Sequence, residues 1–208
     1  EQYDWIIHGG RVIDPDQDLD EICAVAIKDG RIALVASGLD PSEAASSYDA
    51  TGQIVTPGLV DLHVHGYNLA TPLGVPIDHY CLGRGVTTAA DAGSAGFSTY
   101  PGLRGYGIDR FRTRLLAFLN ISCTGLSYST LGGRSDVPGE LDSLKLVDTQ
   151  GCVDCIESDR EGIVGVKVRL SSNLADEGRN EPESFRRALE AAAAVQLPLM
   201  VHHTSSSI

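Results

Sequence analysis

The sequence lacks the segments that would place the protein in or across a membrane. No apolar run within its 208 residues approaches the roughly 18 that a helix needs to span a bilayer. No basic segment followed by an apolar one opens the chain, so no secretory signal is visible. The chain begins at Glu1 and its only methionine is Met200, which indicates that the N-terminus was trimmed or that residues before Glu1 are missing.

Positive charge is also scarce. The chain has 16 lysines and arginines against 28 aspartates and glutamates, which gives a formal net charge of −12. That balance argues against nucleic acid or an anionic membrane as a partner, and solubility alone accounts for the acidity. The expected partner is a small-molecule substrate, and the sequence leaves open whether the protein is a homo-oligomer.

Cysteine is sparse and odd in number. Five cysteines without a compact framework indicate reduced thiols and a cytoplasmic protein. Cys152 and Cys155 form a C-x-x-C motif that could be a redox or zinc pair, but no second pair follows. With Ile156 they make an i, i+3, i+4 pattern, which predicts the apolar stripe of a helix.

Residues 1–56 predict a small antiparallel β unit. Apolar segments alternate with turn signals: Gly9-Gly10 follows the first strand, and Asp29-Gly30 is typical of a hairpin. Residues 37–48 read as a polar connection. The predicted strands are 5–8, 11–13, 22–27, 31–36 and 53–55.

From residue 57 strands alternate with helices, which predicts parallel βα units. The best-marked helix begins after Asn180, an N-cap candidate followed by Pro182 and Glu183. The predicted strands are 59–65, 86–91, 115–121, 163–170 and 197–202, and the predicted helices are 77–85, 108–114, one carrying the cysteines within 141–161, and 181–196.

Five such units predict an α/β fold, a partial (β/α)₈ TIM-type barrel over residues 57–208. A closed barrel needs about 250 residues, so we expect the chain to be a fragment of a longer protein. The alternative is a complete doubly wound open sheet, but no glycine-rich dinucleotide fingerprint follows the first of these strands.

Two histidines end the strand that follows Pro57-Gly58. His63 and His65 are two residues apart, so on a strand their side chains point to the same face. Two imidazoles at one strand end can chelate a metal ion. The alternative is an ordinary histidine pair on an edge strand, and the neighbouring apolar residues 59, 60 and 62 argue against it because they predict burial on both faces.

Lys167 is one of three lysines in the chain and the only one inside an apolar strand. A buried lysine must be paired, neutralised or modified, although a snorkelling side chain near the strand end is an alternative. A neutral amine can add CO₂, and the resulting anionic carbamate can bridge two metal ions. Arg169 faces the same way and would either bind a substrate carboxylate or form a structural ion pair.

His202 ends the predicted fifth strand and is the candidate for the third imidazole ligand. His203 points to the opposite face and is a weaker candidate for substrate binding. Asp91 ends the second barrel strand, where it would either enter the site or cap the Gly93-Ser94 turn, and Asn120 is a similar candidate at the third. In a parallel barrel these strand ends share one mouth, where active sites form.

Together these residues resemble the amidohydrolase superfamily. The motifs are TPGLVDLHVHG after a small β unit containing GGRVIDP and IKDGRIALV, then GVTTAADAGS, a lysine on the fourth strand and a histidine on the fifth. GVTTAADAGSAG, AFLNIS and VKVRLSS are most similar to the amidohydrolase/deacetylase metallohydrolases, a branch related to dihydroorotase.

The resemblance implies a β-sandwich segment beside the barrel and a binuclear zinc site. His63 and His65 would bind the first metal ion, carboxylated Lys167 would bridge the two, and His202 would bind the second. It also implies a general-base aspartate beyond Ile208, so no residue of this chain is expected to be that base and the fragment alone is expected to be inactive.

The implied chemistry is metal-assisted hydrolysis of an N-acyl or ester bond in a small carboxylate-bearing molecule. The alternatives are a cyclic amidase of the dihydroorotase or hydantoinase type and a non-catalytic scaffold. A deaminase is disfavoured because mononuclear deaminases of the superfamily lack a bridging lysine on the fourth strand.

Overall fold

A computed structural model describes residues 2–128 and 138–208. The chain divides into two compact units, Glu1–Leu59 and Val60–Ile208. Within the described ranges, no helix is long and apolar enough to cross a membrane.

The first unit is a sandwich of two small sheets. One sheet has the strand order β5-β4-β1-β6 and the other β3-β2-β7. Apolar side chains from both sheets, among them Val12 of β2 and Val25 of β4, pack into one cluster. The strands are β1 (Tyr3–His8), β2 (Arg11–Asp14), β3 (Leu19–Ile22), β4 (Ala24–Lys28), β5 (Arg31–Ala36), β6 (Ala44–Asp49) and β7 (Ile54–Val55).

The pairing of these strands only partly follows the sequence prediction. Asp29 and Gly30 have φ of 51° and 69° and close the predicted β4–β5 hairpin in the left-handed conformation that such turns need. The prediction of an entirely antiparallel unit was wrong, because β1 pairs with β6 and β2 with β7 in parallel. Strand β6 lies in the segment predicted as a polar connection, since pairing with β1 stabilises it despite its polar composition.

The second unit is a five-stranded sheet in the order β12-β11-β10-β9-β8, so neighbours in sequence are neighbours in space. The pairs from β9 to β12 are parallel. This sequential order is that of a (β/α)₈ barrel, whereas a doubly wound sheet reverses its order. The strands are β8 (Leu59–Val64), β9 (Val86–Gly96), β10 (Arg114–Asn120), β11 (Ile163–Leu170) and β12 (Leu199–His203).

Helices cover this sheet through a shared apolar core. Helix α4 buries Ala188, Ala191 and Val195, which lie three and four residues apart on one helical face. Cys152 and Ile156 of α3 are buried in the same core, as the helical interpretation of the C-x-x-C motif predicts. The thiols of Cys152 and Cys155 form no disulfide bond. The helices are α1 (Ile77–Cys81), α2 (Tyr100–Leu103), α3 (Thr149–Ser158) and α4 (Glu181–Val195).

One local prediction in this unit was wrong, and a second holds only in part. The helix predicted at 108–114 is not there: α2 continues as a π-helix over Arg104–Ile108. Beyond it, the carboxylate of Asp78 accepts the backbone amides of Arg112 and Thr113 at 3.0 and 2.8 Å, and these bonds compete with a helix. Asn180 occupies the predicted N-cap position of α4, but its side chain makes no capping hydrogen bond and donates instead to the carbonyls of Leu141 and Asp142.

The burial expected on both faces of β8 was also wrong. Leu59, Val60 and Leu62 are 50%, 60% and 66% exposed. Strand β8 is the last strand of its sheet in the described residues, so one of its edges has no neighbour there. Burial of β8 therefore no longer supports the metal-site interpretation, which must rest on the other site residues.

Candidate metal centre

Strand β11 presents Lys167 from the middle of the sheet. Its side chain is 1% exposed, and its Nζ is one of the buried polar atoms that have no hydrogen-bond partner in the described structure. Burial, and secondarily the charge of Arg169, lowers the pKa of the Lys167 amine to about 8. A snorkelling lysine would reach solvent, so the structure contradicts that alternative.

Strand β9 does not end at Asp91 as predicted but continues to Gly96, and its register is irregular between Ala92 and Gly96. The local turn at Gly93 within this irregular stretch accommodates the stem of Lys167. Gly93 has a φ of 86°, and a Cβ at this position would lie 2.5 Å from Lys167 Cγ. Asn120 pairs with Lys167 across the sheet, and its side-chain amide donates to the Gly93 carbonyl at 3.1 Å. The side chain of Asn120 therefore supports the turn that packs against the lysine.

His63 is the penultimate residue of β8, and His65 follows the strand directly. Their ring centroids lie 5.5 Å apart, edge to face. Nδ1 of His65 is hydrogen-bonded to Ser94 Oγ at 3.0 Å, which leaves Nε2 as the nitrogen for another partner. The histidine pair thus lies next to the turn that packs on Lys167.

Asp91 ties this turn to the residue after the histidines. Its carboxylate accepts the backbone amide of Ser94 at 2.7 Å and that of Gly66 at 2.6 Å, so it caps the turn as one alternative foresaw. Complete burial raises the pKa of Asp91, and the backbone amides oppose that shift. Because both oxygens accept backbone amides, the described contacts give Asp91 a structural role.

Strand β12 carries the other two candidate histidines, His202 and His203, to opposite faces. His202 pairs with Arg169 of β11, which shares its face with Lys167, whereas His203 pairs with Leu170 on the other face. Nε2 of His202 is hydrogen-bonded to Thr204 Oγ1 at 2.8 Å, which leaves its Nδ1 free. His203 is bonded to the carbonyl of Ile208, so the structure does not bring it to the other site residues.

The histidines and Lys167 influence one another electrostatically. Burial, and to a smaller extent the charges of His63 and Arg169, lowers the pKa of His65 to about 4. Burial and the charge of Lys167 also lower the pKa values of His63 and His202. At neutral pH all three imidazoles are therefore neutral, which is the protonation state in which histidine binds metal.

Arg169 forms the ion pair that the sequence left as one of two alternatives. Its Nε and Nη2 donate to both carboxylate oxygens of Glu140, at 2.5 and 2.7 Å. Glu140 is completely buried. Sequence reasoning missed Glu140 because it lies outside any regular element and 29 residues before its partner.

The donors fit a metal centre only if Lys167 contributes. In the part of the chain that the structure describes, no group of three or more histidine, cysteine, aspartate or glutamate side chains could hold a metal ion. The donors are a histidine pair, a separate histidine and a buried amine that has no hydrogen-bond partner in residues 2–128 and 138–208. An anionic group on that amine would supply the ligand that the set lacks.

Comparison with known proteins finds relatives over most of the chain. A deacetylase of Agrobacterium fabrum is 36% identical over 174 residues, which make up 84% of this chain and 41% of that protein. No model of a protein family matches the sequence.

Two solved structures share the fold. A dihydroorotase covers 97% of this chain with a TM-score of 0.82 and 29% identity, and an adenine deaminase covers 98% with 0.83 and 26%. This chain covers 51% of each of these two chains, so it spans about half the length of its relatives. The prediction of a partial barrel is confirmed.

Proposed function

The chain belongs to the amidohydrolase superfamily, and from that premise we propose that the protein is a metal-dependent hydrolase. The bond that it would hydrolyse is an amide of the N-acyl type, or an ester, in a small carboxylate-bearing substrate. The observation that carries this proposal is the buried amine of Lys167, which has no hydrogen-bond partner among the described residues and shares a sheet face with His202. The similarity to a deacetylase supports the N-acyl bond.

In this proposal His63 and His65 hold one divalent ion and His202 holds a second. Imidazole ligands suit zinc, which is the metal we propose. Nε2 of His65 and Nδ1 of His202 are the free nitrogens, because Ser94 and Thr204 engage the others. Such hydrogen bonds fix the ring orientation of a ligating histidine.

Lys167 would join the two ions after reacting with CO₂. The lone pair of the neutral amine attacks the carbon of CO₂, an N–C bond forms, and one N–H proton leaves to water. A pKa of about 8 leaves a fraction of the amine neutral near pH 7, so the reaction needs no further activation. The carbamate would place a negative charge at the end of the buried side chain, and bound metal ions would neutralise that charge.

Bound metal ions would supply an activated water and a Lewis acid for the carbonyl. The chain's own residues orient the ligands: Asp91 holds the Gly66 amide, and Gly93 leaves room for the lysine stem. The family resemblance puts the general-base aspartate beyond Ile208, so we expect these 208 residues alone to be inactive. A cytoplasmic location is part of the same proposal.

A cyclic amidase is the second candidate, favoured by the similarity to a dihydroorotase. Both reactions use the same ligand set, and the substrate decides between them. The similarity to an adenine deaminase adds adenine to the compounds worth testing.

The test is a hydrolysis screen of the full-length, zinc-loaded protein. The panel contains N-acetyl amino acids, carboxylate-bearing acetyl esters, dihydroorotate, a hydantoin and adenine. Acetate release that is lost in Lys167→Ala and kept in the exposed control Lys145→Ala would support the proposal. Opening of a cyclic compound alone would favour the second candidate, ammonia release from adenine would favour a deaminase, and inertness toward the whole panel would favour a non-catalytic scaffold.

A further inference from the structure

The ion pair between Arg169 and Glu140 lies beside the candidate metal centre. Arg169 is two residues from Lys167 and pairs with His202 across the sheet, so all three share one face. Glu140 occupies one edge of the guanidinium group, through Nε and Nη2. Nη1 donates no hydrogen bond to any residue that the structure describes, so three of the five N–H donors, two on Nη1 and one on Nη2, have no assigned partner there.

The backbone around Glu140 is fixed by several hydrogen bonds. The amide of Leu141 donates to the Leu174 carbonyl at 2.9 Å. The Asp142 carboxylate accepts the amides of Gly139 and Asp176, each at 2.7 Å. These contacts tie both sides of Glu140 to the connection between β11 and α4.

Close packing adds to this support. A Cβ on Gly139 would lie 2.3 Å from Leu174 Cα, so these two backbones are in direct contact. This firmly held segment carries the fully buried carboxylate of Glu140. Among the described residues, its only side-chain partner is Arg169. Its placement therefore determines the orientation of the guanidinium group.

The charge of the pair also matters. An unpaired arginine would attract any anion, whereas a paired one is nearly neutral and acts through directed hydrogen bonds. The free edge of a guanidinium group matches the planar geometry of one more carboxylate. A residue held in this way favours a substrate with a single carboxylate at a fixed distance from the metal ligands.

We infer that Glu140 is a positioning residue that orients Arg169 so that its free edge binds the carboxylate of the substrate. This inference deepens the proposed function and rests on it. Glu140 itself touches no reacting atom and acts through Arg169.

The test compares N-acetylalanine with its neutral analogue N-acetylalaninamide as substrates of the full-length, zinc-loaded protein. In Glu140→Gln we expect kcat/KM for the anion to fall about ten- to a hundredfold through KM, as the loss of a charged hydrogen bond would give. The kcat/KM for the neutral N-acetylalaninamide should not change in this variant. The exposed control Glu161→Gln should leave kcat/KM unchanged for both substrates. Equal losses for the two substrates, or no loss for either, would overturn the inference.

The same substitution in a variant that lacks Arg169 separates positioning from an effect on stability. This comparison is needed because an unpaired buried arginine can prevent folding. Arg169→Met should remove the preference for the anion, and Glu140→Gln added to it should change nothing further. A further loss of preference in that double variant would mean that Glu140 does not act through Arg169, which would overturn the inference.

Equilibrium binding distinguishes this inference from the proposed function. If the wild type hydrolyses neither compound, that function fails for N-acyl substrates, and calorimetric titration with both compounds still tests Glu140. Tighter binding of N-acetylalanine by the wild type, lost in Glu140→Gln, supports the positioning role. Equal binding of the two compounds by the wild type refutes it.

Discussion

Lys167→Met should stabilise the metal-free protein while it removes the proposed bridging ligand. The fold holds an amine whose pKa is lowered from 10.5 to about 8, so keeping it charged at neutral pH costs free energy. Each pKa unit corresponds to about 1.4 kcal/mol, which makes the cost about 3 kcal/mol. Methionine fills a similar volume without a charge, so the substitution should recover most of this free energy of unfolding.

The pH dependence has a definite sign. The charge penalty is complete below the folded-state pKa of about 8, where lysine is protonated in both the folded and the unfolded states. It declines as the pH rises and vanishes above 10.5, where the amine is neutral in both states. The advantage of methionine should therefore be largest near pH 7 and small at pH 10.5.

The assay is urea unfolding of the full-length protein, followed by far-UV circular dichroism after chelation of metal and removal of CO₂. The matched control is the exposed Lys145→Met, which should change the free energy of unfolding by less than about 0.5 kcal/mol. If Lys167→Met is no more stable than the wild type at pH 7, or its advantage does not shrink with rising pH, the amine is not held as the structure describes.

Two substitutions and one reactivity measurement test the surroundings of Lys167 and helix α3. Gly93→Ala should displace the lysine stem and weaken metal binding at least tenfold by calorimetric titration, because the new Cβ would lie 2.5 Å from Lys167 Cγ at a φ of 86°. Asp91→Asn turns an amide donor toward a backbone N–H and should lower the free energy of unfolding by about 2 kcal/mol in urea titrations. Burial raises the pKa values of Cys152 and Cys155 to about 12 and 11, so neither thiol should react with a thiol reagent at pH 8 until the protein unfolds.

Sequence reasoning worked best where one local pattern decides the structure. Strand β11 runs over Ile163–Leu170, as predicted, because its apolar run is long and is buried on both faces. The stripe of Cys152 and Ile156 likewise identified a helix whose apolar face is buried. The contact of the Asp91 carboxylate with the Ser94 amide was one of the two alternatives that the sequence offered for Asp91.

Long-range contacts explain what the sequence did not reveal. The helix predicted at 108–114 does not form because the amides of Arg112 and Thr113 donate to the carboxylate of Asp78, which lies more than 30 residues earlier in the chain. Strand β6 has little apolar character and forms because β1 lies beside it. Glu140 belongs to no periodic pattern, so only the folded chain associates it with Arg169.

The ligand set stands between these two cases. The sequence placed His63 and His202 near the ends of strands and Lys167 inside an apolar strand, and the structure has them there. It also predicted that Arg169 faces the same way as Lys167, but could not decide between a substrate carboxylate and an ion pair. Their role as ligands stays a prediction.

Metal content is the most direct test of the central claim that Lys167 and the three histidines form one metal centre. Full-length protein prepared with zinc and bicarbonate should contain about two metal ions per chain, and ¹³C-bicarbonate should give a carbamate signal in the NMR spectrum. Lys167→Ala should lose metal and signal, with metal partly restored by short carboxylic acids. A wild-type protein that holds no metal, or a Lys167→Ala variant that holds as much as the wild type, would contradict the claim.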